Sequence, residues 1–133
     1  MNVEAEDFWR RAREALRVAR NDLAVSADAC AVWAYYAAFY AVSAVFALDR
    51  RTFSRHSAVE AAVHRDLIKE EGWSEDVGAT YNRLNELRHI GHYGGMTHVT
   101  PEEAEQAIEM AEMIVRAVAD AHPQEFAFEQ DDA

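Results

Sequence analysis

The chain has 133 residues, half of them apolar, with only two prolines and five glycines. This length suits one domain with a single core, and the scarcity of turn residues and of β-branched runs favours an all-helical domain over a sheet protein. The formal net charge of −11 excludes a general attraction for free nucleic acid, so such a role needs a local group of basic residues.

Two features bear on the compartment. Cys30 is the single cysteine and lies in an apolar run, so it has no partner for an internal disulfide, as is usual in a reducing cytosol. The first residues, MNVEAEDFWRR, carry early acids and no apolar core, unlike a secretory signal. We therefore expect a cytoplasmic protein.

The first two predicted helices differ in character. Apolar residues at three- and four-residue spacing predict an amphipathic helix from about Val3 to Asp22. Its buried stripe is expected to comprise Phe8, Ala12, Ala15, Leu16, Ala19 and Leu23.

Ser26 suits the N-cap of a second helix that ends near Leu48. The uncharged run from Ala29 to Leu48 is long enough to span a bilayer, but its alanines and tyrosines and its amphipathic neighbours favour the central helix of a bundle. We expect no membrane partner.

The loop from Asp49 to His56 is rich in arginine and leads to a third helix, from about Ser57 to Glu71. Gly72 is expected to end that helix. A fourth helix follows the cap Ser74 and ends at Gly94 and Gly95. The core stripe of the third helix is predicted to comprise Val59, Ala62, Val63 and Leu67. That of the fourth helix is predicted to comprise Val77, Tyr81, Leu84 and Leu87.

The fifth helix has the clearest start. Thr100 is its cap, Pro101 occupies the first turn and Glu103 completes a capping box. We therefore predict an antiparallel bundle of four main helices and a shorter one, packed around the second helix, over residues 1–121. Residues 122–133 read as an acidic, loosely ordered tail anchored by Phe126 and Phe128.

A strip of polar residues follows one face of the fourth helix: Asn85, Arg88, His89 and His92. Arg88 and His92 are one turn apart, about 6 Å along the axis. Such a pair can cleave RNA without a metal, since the guanidinium neutralises the phosphate while the imidazole acts on the 2′-hydroxyl as base or acid. Because one histidine cannot serve as both, a symmetric dimer that pairs two copies of this helix would complete the site.

Two other interpretations of the strip stay open. A histidine late in a helix complements the negative helix end, and Arg88 can pair with Glu86, a tail acid or a carbonyl group. Glu86 and His89 also form a Glu-x-x-His pair of the kind used in helical metal sites, although no second such pair is found. Glu60 with His64, or His89 with His92 and either His56 or His98, are weaker candidates for zinc. We predict neither a metal nor another cofactor.

Four segments together resemble the HEPN domain family, a group of small helical proteins. They are AVWAYYAAFYAVSAVFAL in helix two, RHSAV at the start of helix three, LRHIGHYGG late in helix four and TPEEAEQAIEMAEMIV in helix five. The resemblance covers about residues 15–121. It implies a homodimer with two helix-four motifs facing a cleft, RNase activity of the toxin type in many members, and a nucleotidyltransferase partner that in some cases adds AMP to a tyrosine.

The match to the ribonuclease motif of the family is incomplete. Arg88 and His89 fit its first half, but His92 follows one residue too early. Another branch reads Arg-x-x-Ala-Asp-Tyr, and Arg88, Gly91, His92 and Tyr93 align with it, with His in place of Asp. Trp33 and Ala58 stand where Arg and Gly are common. The chain therefore resembles both a nuclease and an inactive HEPN dimer that serves as binding partner of a nucleotidyltransferase.

Several further residues are candidates on the same interpretation. His56 either caps the third helix or reaches the cleft, and Arg50, Arg51 and Arg55 either guide an RNA backbone or pair with acids of the protein. Tyr93 is the candidate for AMP addition, with a packing role as the alternative. The expected catalytic residues are Arg88, His92 and His89, with Asn85 and His56 lining the cleft.

Overall fold

The computed structural model describes residues 2–128 of the chain, and within them it is entirely helical. The elements are α1 (Val3–Asp22), α2 (Ala27–Leu48), α3 (His56–Ala62), a π-helical segment that continues α3 (Val63–Glu70), α4 (Glu75–Tyr93) and α5 (Pro101–Ala121). The prediction of four long helices and one shorter one is confirmed.

Helix α2 forms the centre of the bundle and packs against α1, α4 and α5. Most of its side chains are buried, and many of these are alanines that let the neighbouring helices approach closely. Among the described residues it is the one helix with the length and hydropathy to cross a membrane. Its burial within the bundle is that of a core helix.

Local signals set the ends of the helices. The side chains of Ser26 and Thr100 accept hydrogen bonds from Ala29 and Glu103 as predicted, and the Glu103 carboxylate accepts one from the Thr100 amide, which completes the capping box. A cap that sequence reasoning missed is Asn2. Its Oδ1 accepts from Ala5, while its Nδ2 donates to the Ala47 carbonyl at 2.7 Å, so α1 is tied to the end of α2.

The third helix departs from its predicted form. It begins at His56, and from Val63 onward it widens into a π-helix, so that the Glu71 amide donates to the Asp66 carbonyl five residues earlier. Gly72 ends it with φ +75, a backbone conformation that favours glycine. The predicted core residues Val59, Ala62, Val63 and Leu67 are all buried.

The end of the described chain packs on α1. Phe126 is fully buried against Trp9, with ring centroids 5.1 Å apart, and the indole N–H of Trp9 donates to the Ala127 carbonyl at 3.0 Å. Trp9 is therefore buried while Phe8, the residue predicted for the core, is half-buried. Both predicted anchors make contacts, since Phe128 lies 4.8 Å from the Arg116 guanidinium. The last part of the predicted tail, residues 129–133, lies outside the described residues.

Candidate functional site

Arg88 is the centre of the candidate site. It lies in the last third of α4 on the side that faces α2, and it is only 8% exposed. Its guanidinium donates twice to Asn85 Oδ1, at 3.2 and 3.0 Å, and stacks on the Tyr35 ring at 4.6 Å. No carboxylate within residues 2–128 forms an ion pair with it. A nearly buried cation without an acidic partner is costly unless another anion satisfies it.

A chain of side chains fixes this arginine. Asn85, one turn earlier on α4, donates from Nδ2 to Glu60 Oε2 at 3.4 Å, and so presents its carbonyl oxygen to Arg88. Glu60 belongs to α3, so the arginine is oriented by two helices. The guanidinium is thereby preorganised before any ligand arrives.

His56 lies beside the arginine at the first position of α3. Its Nδ1 is 3.2 Å from the Tyr35 hydroxyl, and its ring packs on Phe39 with centroids 4.5 Å apart. Burial, and next the positive charge of Arg88, lower the pKa of His56, so the ring is neutral at pH 7. In the neutral ring, Nδ1 accepts the Tyr35 proton if Nε2 carries the ring proton, and donates to the Tyr35 oxygen if Nδ1 carries it.

Two tyrosines complete the floor of the site. The Tyr35 and Tyr81 rings lie 5.8 Å apart, and burial raises the pKa of both hydroxyls. The Tyr81 hydroxyl is fully buried and lacks a well-formed hydrogen bond within the described part of the chain. It therefore remains a donor that faces the Tyr35 hydroxyl.

The predicted catalytic histidines are arranged differently from each other. His89 is exposed, with Nε2 3.4 Å from Nη2 of Arg88. His92 is also exposed, its ring contacts that of Tyr93 at 5.3 Å, and no hydrogen bond joins it to Arg88 within residues 2–128. Within one chain, the structure thus brings Arg88 together with His56, Asn85 and His89, and leaves His92 at the rim.

The arginines of the α2–α3 loop are divided by the fold. Arg55 precedes His56 and is exposed at the edge of the site. Arg50 and Arg51 lie just beyond the far end of α2, which is roughly 20 Å along the helix from Tyr35 at 1.5 Å per residue. Arg51 pairs with Asp66 at 2.7 Å, and Arg65 with Arg51 lowers the pKa of that carboxyl to about 2. Arg51 thus makes the ion pair that was the alternative to an RNA contact.

Residues that sequence reasoning missed are Tyr35, Glu60 and Tyr81 as members of the site. From the sequence, Tyr81 is predicted only as a core residue of the fourth helix and Glu60 only as a weak zinc ligand, and Tyr35 is given no role of its own. The available signal was that each of these three residues places a polar atom on a helix face that is otherwise buried. Within residues 2–128 no three His, Cys, Asp or Glu side chains are grouped so that they could hold a metal ion, and Glu86 pairs with Arg83 at 3.1 Å.

The model of the HEPN domain matches residues 5–121. The chain belongs to the HEPN domain family. A protein of Thermotoga maritima described as "UPF0332 protein" is 37% identical to it over 114 residues, which cover 84% of this chain and 86% of that one.

A solved structure supports the fold of this HEPN domain. It is similar to the crystal structure of TT1696 from Thermus thermophilus, with a TM-score of 0.77 and 24% identity, over 90% of this chain and 98% of that one. At this identity the likeness concerns the fold alone. The four resembling segments therefore lie in a genuine HEPN domain, with the LRHIGHYGG segment in the last turns of α4.

Proposed function

We propose that this HEPN domain is the RNA-cleaving, cytoplasmic subunit of a toxin–antitoxin-type pair and acts as a homodimer without a metal. One observation carries the proposal: Arg88 is almost buried, is oriented by Asn85 and Tyr35, and has no carboxylate partner within residues 2–128 in a chain with 24 acidic residues. A planar, preorganised guanidinium of this kind is suited to a phosphate group.

The reaction needs a base and an acid around that phosphate. A base removes the proton of the 2′-hydroxyl, whose oxygen attacks phosphorus, and an acid protonates the departing 5′-oxygen, which leaves a 2′,3′-cyclic phosphate and a 5′-hydroxyl end. Arg88 neutralises the developing charge on the phosphoryl oxygens. His92 is exposed at the rim, so two copies of α4 facing each other would supply two such imidazoles.

The end of α4 has the surface that a second copy would cover. Tyr93 is 71% exposed and Met96 97% exposed, beside His92. Large apolar side chains at this exposure favour an interface. Cross-linking and light scattering of the purified protein will measure the oligomeric state that this proposal requires.

The test of activity is cleavage of total RNA and tRNA in the presence of EDTA. We expect wild-type protein to cleave, and Arg88→Ala and His92→Ala each to lose about 100-fold or more, the usual contribution of a positioned acid or base. Arg83→Ala is the matched control, since Arg83 is on the same helix but pairs with Glu86 and Glu103 at the surface. Cleavage that survives in both site variants would show that the activity belongs to other residues or to a contaminant.

A second candidate function is that of an inactive HEPN dimer that binds a nucleotidyltransferase. It is favoured by the absence of a hydrogen bond between His92 and Arg88 within residues 2–128 of one chain, and by the exposure of Tyr93, which any AMP addition requires. Incubation with a nucleotidyltransferase encoded beside the gene, with ATP and Mg²⁺, should then add the mass of AMP to wild type and not to Tyr93→Phe. Addition to both proteins would place the modification elsewhere.

A further inference from the structure

His56 is a titratable side chain of the site that has no role in the reaction described above. It occupies the first position of α3, where the sequence alone is compatible with either a capping role or a position in the cleft. The structure shows no capping by this residue within residues 2–128. Arg55 is at the N-cap position, no side chain caps the helix, and the hydrogen bond that the imidazole makes is to Tyr35. The role of His56 therefore depends on its contacts with α2 and α4.

Three aromatic rings of α2 hold the imidazole in one orientation. The Phe39 ring packs on it with centroids 4.5 Å apart, and the Tyr35 and Tyr36 rings each lie 5.7 Å from it, the first stacked and the second edge-on. The Tyr35 hydroxyl is 3.2 Å from Nδ1. An imidazole that a neighbour holds at one nitrogen presents the other nitrogen in a defined direction, which is how histidines are oriented for proton transfer.

The other ring nitrogen, Nε2, remains available to a ligand. Within residues 2–128 it has no hydrogen-bond partner, and it is not one of the fully buried polar atoms that lack one. It therefore reaches solvent, although the ring as a whole is half-buried. No carboxylate in the same part of the chain pairs with this histidine. An ion pair, a common structural reason for a histidine between helices, is thus absent there.

Arg88 is close enough for its charge to act on the imidazole. The Arg88 guanidinium lies 4.6 Å from the centre of the Tyr35 ring, which the His56 ring also contacts. Burial, and next the charge of Arg88, lower the pKa of His56, so the ring is neutral at pH 7 and ready to accept a proton. A ribose 2′-hydroxyl about 3 Å from Nε2, with its phosphate about 3 Å from the guanidinium, would bridge the two groups.

We propose that Nε2 of His56 faces the phosphate held by Arg88 and is the base that takes the proton of the 2′-hydroxyl. In the form of the ring that does this, Nδ1 carries a proton and donates to the Tyr35 oxygen, so the lone pair of Nε2 is free. This inference rests on the proposed nuclease function. It assigns the base and the acid to different residues, as the reaction requires.

The proton transfers balance as follows from these roles. Nε2 of His56 accepts the 2′-hydroxyl proton while the 2′-oxygen forms its bond to phosphorus. The bond from phosphorus to the 5′-oxygen breaks, and that oxygen receives a proton from His92, the acid at the rim. The His56 imidazolium then gives its proton to water, and His92 regains one from water.

The first experiment is the pH dependence of the cleavage of total RNA and tRNA, in EDTA, by wild type and His56→Gln. Glutamine can still form a hydrogen bond with Tyr35 but cannot take up a proton. We expect the rate to fall about 100-fold or more, and the loss of rate toward acid pH that protonation of His56 causes in wild type to disappear. Free imidazole should restore part of the activity of His56→Ala, which a packing role would not allow. Circular dichroism and thermal unfolding of each variant ensure that folded protein is compared.

His64→Gln is the matched control. His64 is half-buried on the π-helical segment, and its Nε2 is 3.0 Å from Oδ1 of Asn82 on α4, so it also joins two helices through a side-chain hydrogen bond. Its substitution should leave the rate and the pH profile unchanged. An equal loss of rate in His64→Gln and His56→Gln would mean that cleavage depends only on how the helices pack, and would overturn the proposal.

The second experiment needs no cleavage. NMR titration of the histidine rings, with and without inorganic phosphate, measures the pKa of His56, whose signals are those missing in His56→Gln. Phosphate bound at Arg88 should raise this pKa in wild type, because a nearby anion favours the charged ring, and should leave it unchanged in Arg88→Ala. A pKa of His56 that phosphate does not change in wild type would overturn the proposal, whether or not the protein cleaves RNA.

The remaining outcomes separate this proposal from the nuclease. A rise of the His56 pKa that requires Arg88, in a protein that cleaves nothing, would support the position of His56 at the phosphate and contradict the nuclease. Cleavage by His56→Gln at the wild-type rate and with the wild-type pH profile would support the nuclease and overturn His56 as its base.

Discussion

At the scale of single residues, the neighbours of Arg88 determine where its guanidinium lies. Its side chain leans toward the N-terminal end of α4, onto Asn85 and the Tyr35 ring, as long side chains on helices commonly do. This direction takes it toward His56 and away from His92. Although Arg88 and His92 are one helical turn apart, no hydrogen bond joins their side chains within residues 2–128 of one chain.

His56 should make the stability of the domain depend on pH above the range in which carboxylates titrate. Its pKa is lowered in the folded state, so the unfolded chain, with the ordinary value near 6.5, binds the proton first as the pH falls. Stability should begin to decrease as the pH falls through about 6.5, the value of the unfolded chain, and His56→Gln should show a shallower decrease. Urea unfolding at several pH values measures this, and parallel curves for the two proteins would contradict it.

Gly91 permits α4 to approach the start of α2. A Cβ atom at this position would lie 2.7 Å from the Asp28 carbonyl oxygen, which is backbone and cannot turn aside. Gly91→Ala should therefore destabilise the domain by about 1–3 kcal/mol despite the better helix propensity of alanine.

The matched control for this substitution is Gly95→Asn. Gly95 has φ +61, a conformation that asparagine tolerates, and a Cβ atom at this position would have no other atom within 4 Å. Thermal unfolding should show little change for this variant. A melting temperature of Gly91→Ala equal to that of wild type would mean that the two helices separate at no cost.

At the scale of the elements, each helix end is set by a few local hydrogen bonds. Helix α5 illustrates this best, since the Thr100 hydroxyl accepts from the Glu103 amide at 3.1 Å and the Glu103 carboxylate accepts from the Thr100 amide at 3.0 Å. The box occupies two amides that the first turn would otherwise leave unpaired.

Thr100→Ala should cost about 1 kcal/mol of unfolding free energy, the usual value for a lost N-cap. Thr97→Ala makes the same change at an exposed position in the preceding loop and should stay within about 0.5 kcal/mol of wild type. Denaturant unfolding compares the two. Equal losses of unfolding free energy in the two variants would show that the capping hydrogen bond of Thr100 does not stabilise the domain.

At the scale of the whole molecule, the segment after α5 closes the bundle. Phe126 is fully buried beside Trp9, and the Trp9 indole donates to the backbone of Ala127. The core is therefore completed by a part of the chain that has no helix of its own.

Phe126→Ala should destabilise the domain by about 3–5 kcal/mol, the usual cost of removing a buried aromatic ring. Phe128→Ala should cost clearly less, because Phe128 is only partly buried and its described ring contact is with the exposed Arg116. Calorimetry of both variants gives the comparison. Similar small effects would show that the segment does not contribute to the core.

Part of the candidate site could be predicted from sequence and part could not. The spacing of Asn85, Arg88 and His89 on one helix already placed them on one strip, and the structure brings them together. Tyr35 and Glu60 could not be assigned to the same strip, since they lie on other helices. Periodicity within a helix says which face is apolar, but it does not say which residue of a distant helix will face it.

The sequence by itself determined the elements and the family of this protein. The positions of the caps, the glycine ends and the core stripes follow from interactions between residues a few positions apart, which any chain segment carries with it. Only the tertiary structure decided that Arg88 faces His56, that Arg51 pairs with Asp66 and that Phe126 packs on Trp9. These contacts join residues far apart in the chain, and they form because α2 buries most of its surface and so forces its neighbours into one arrangement.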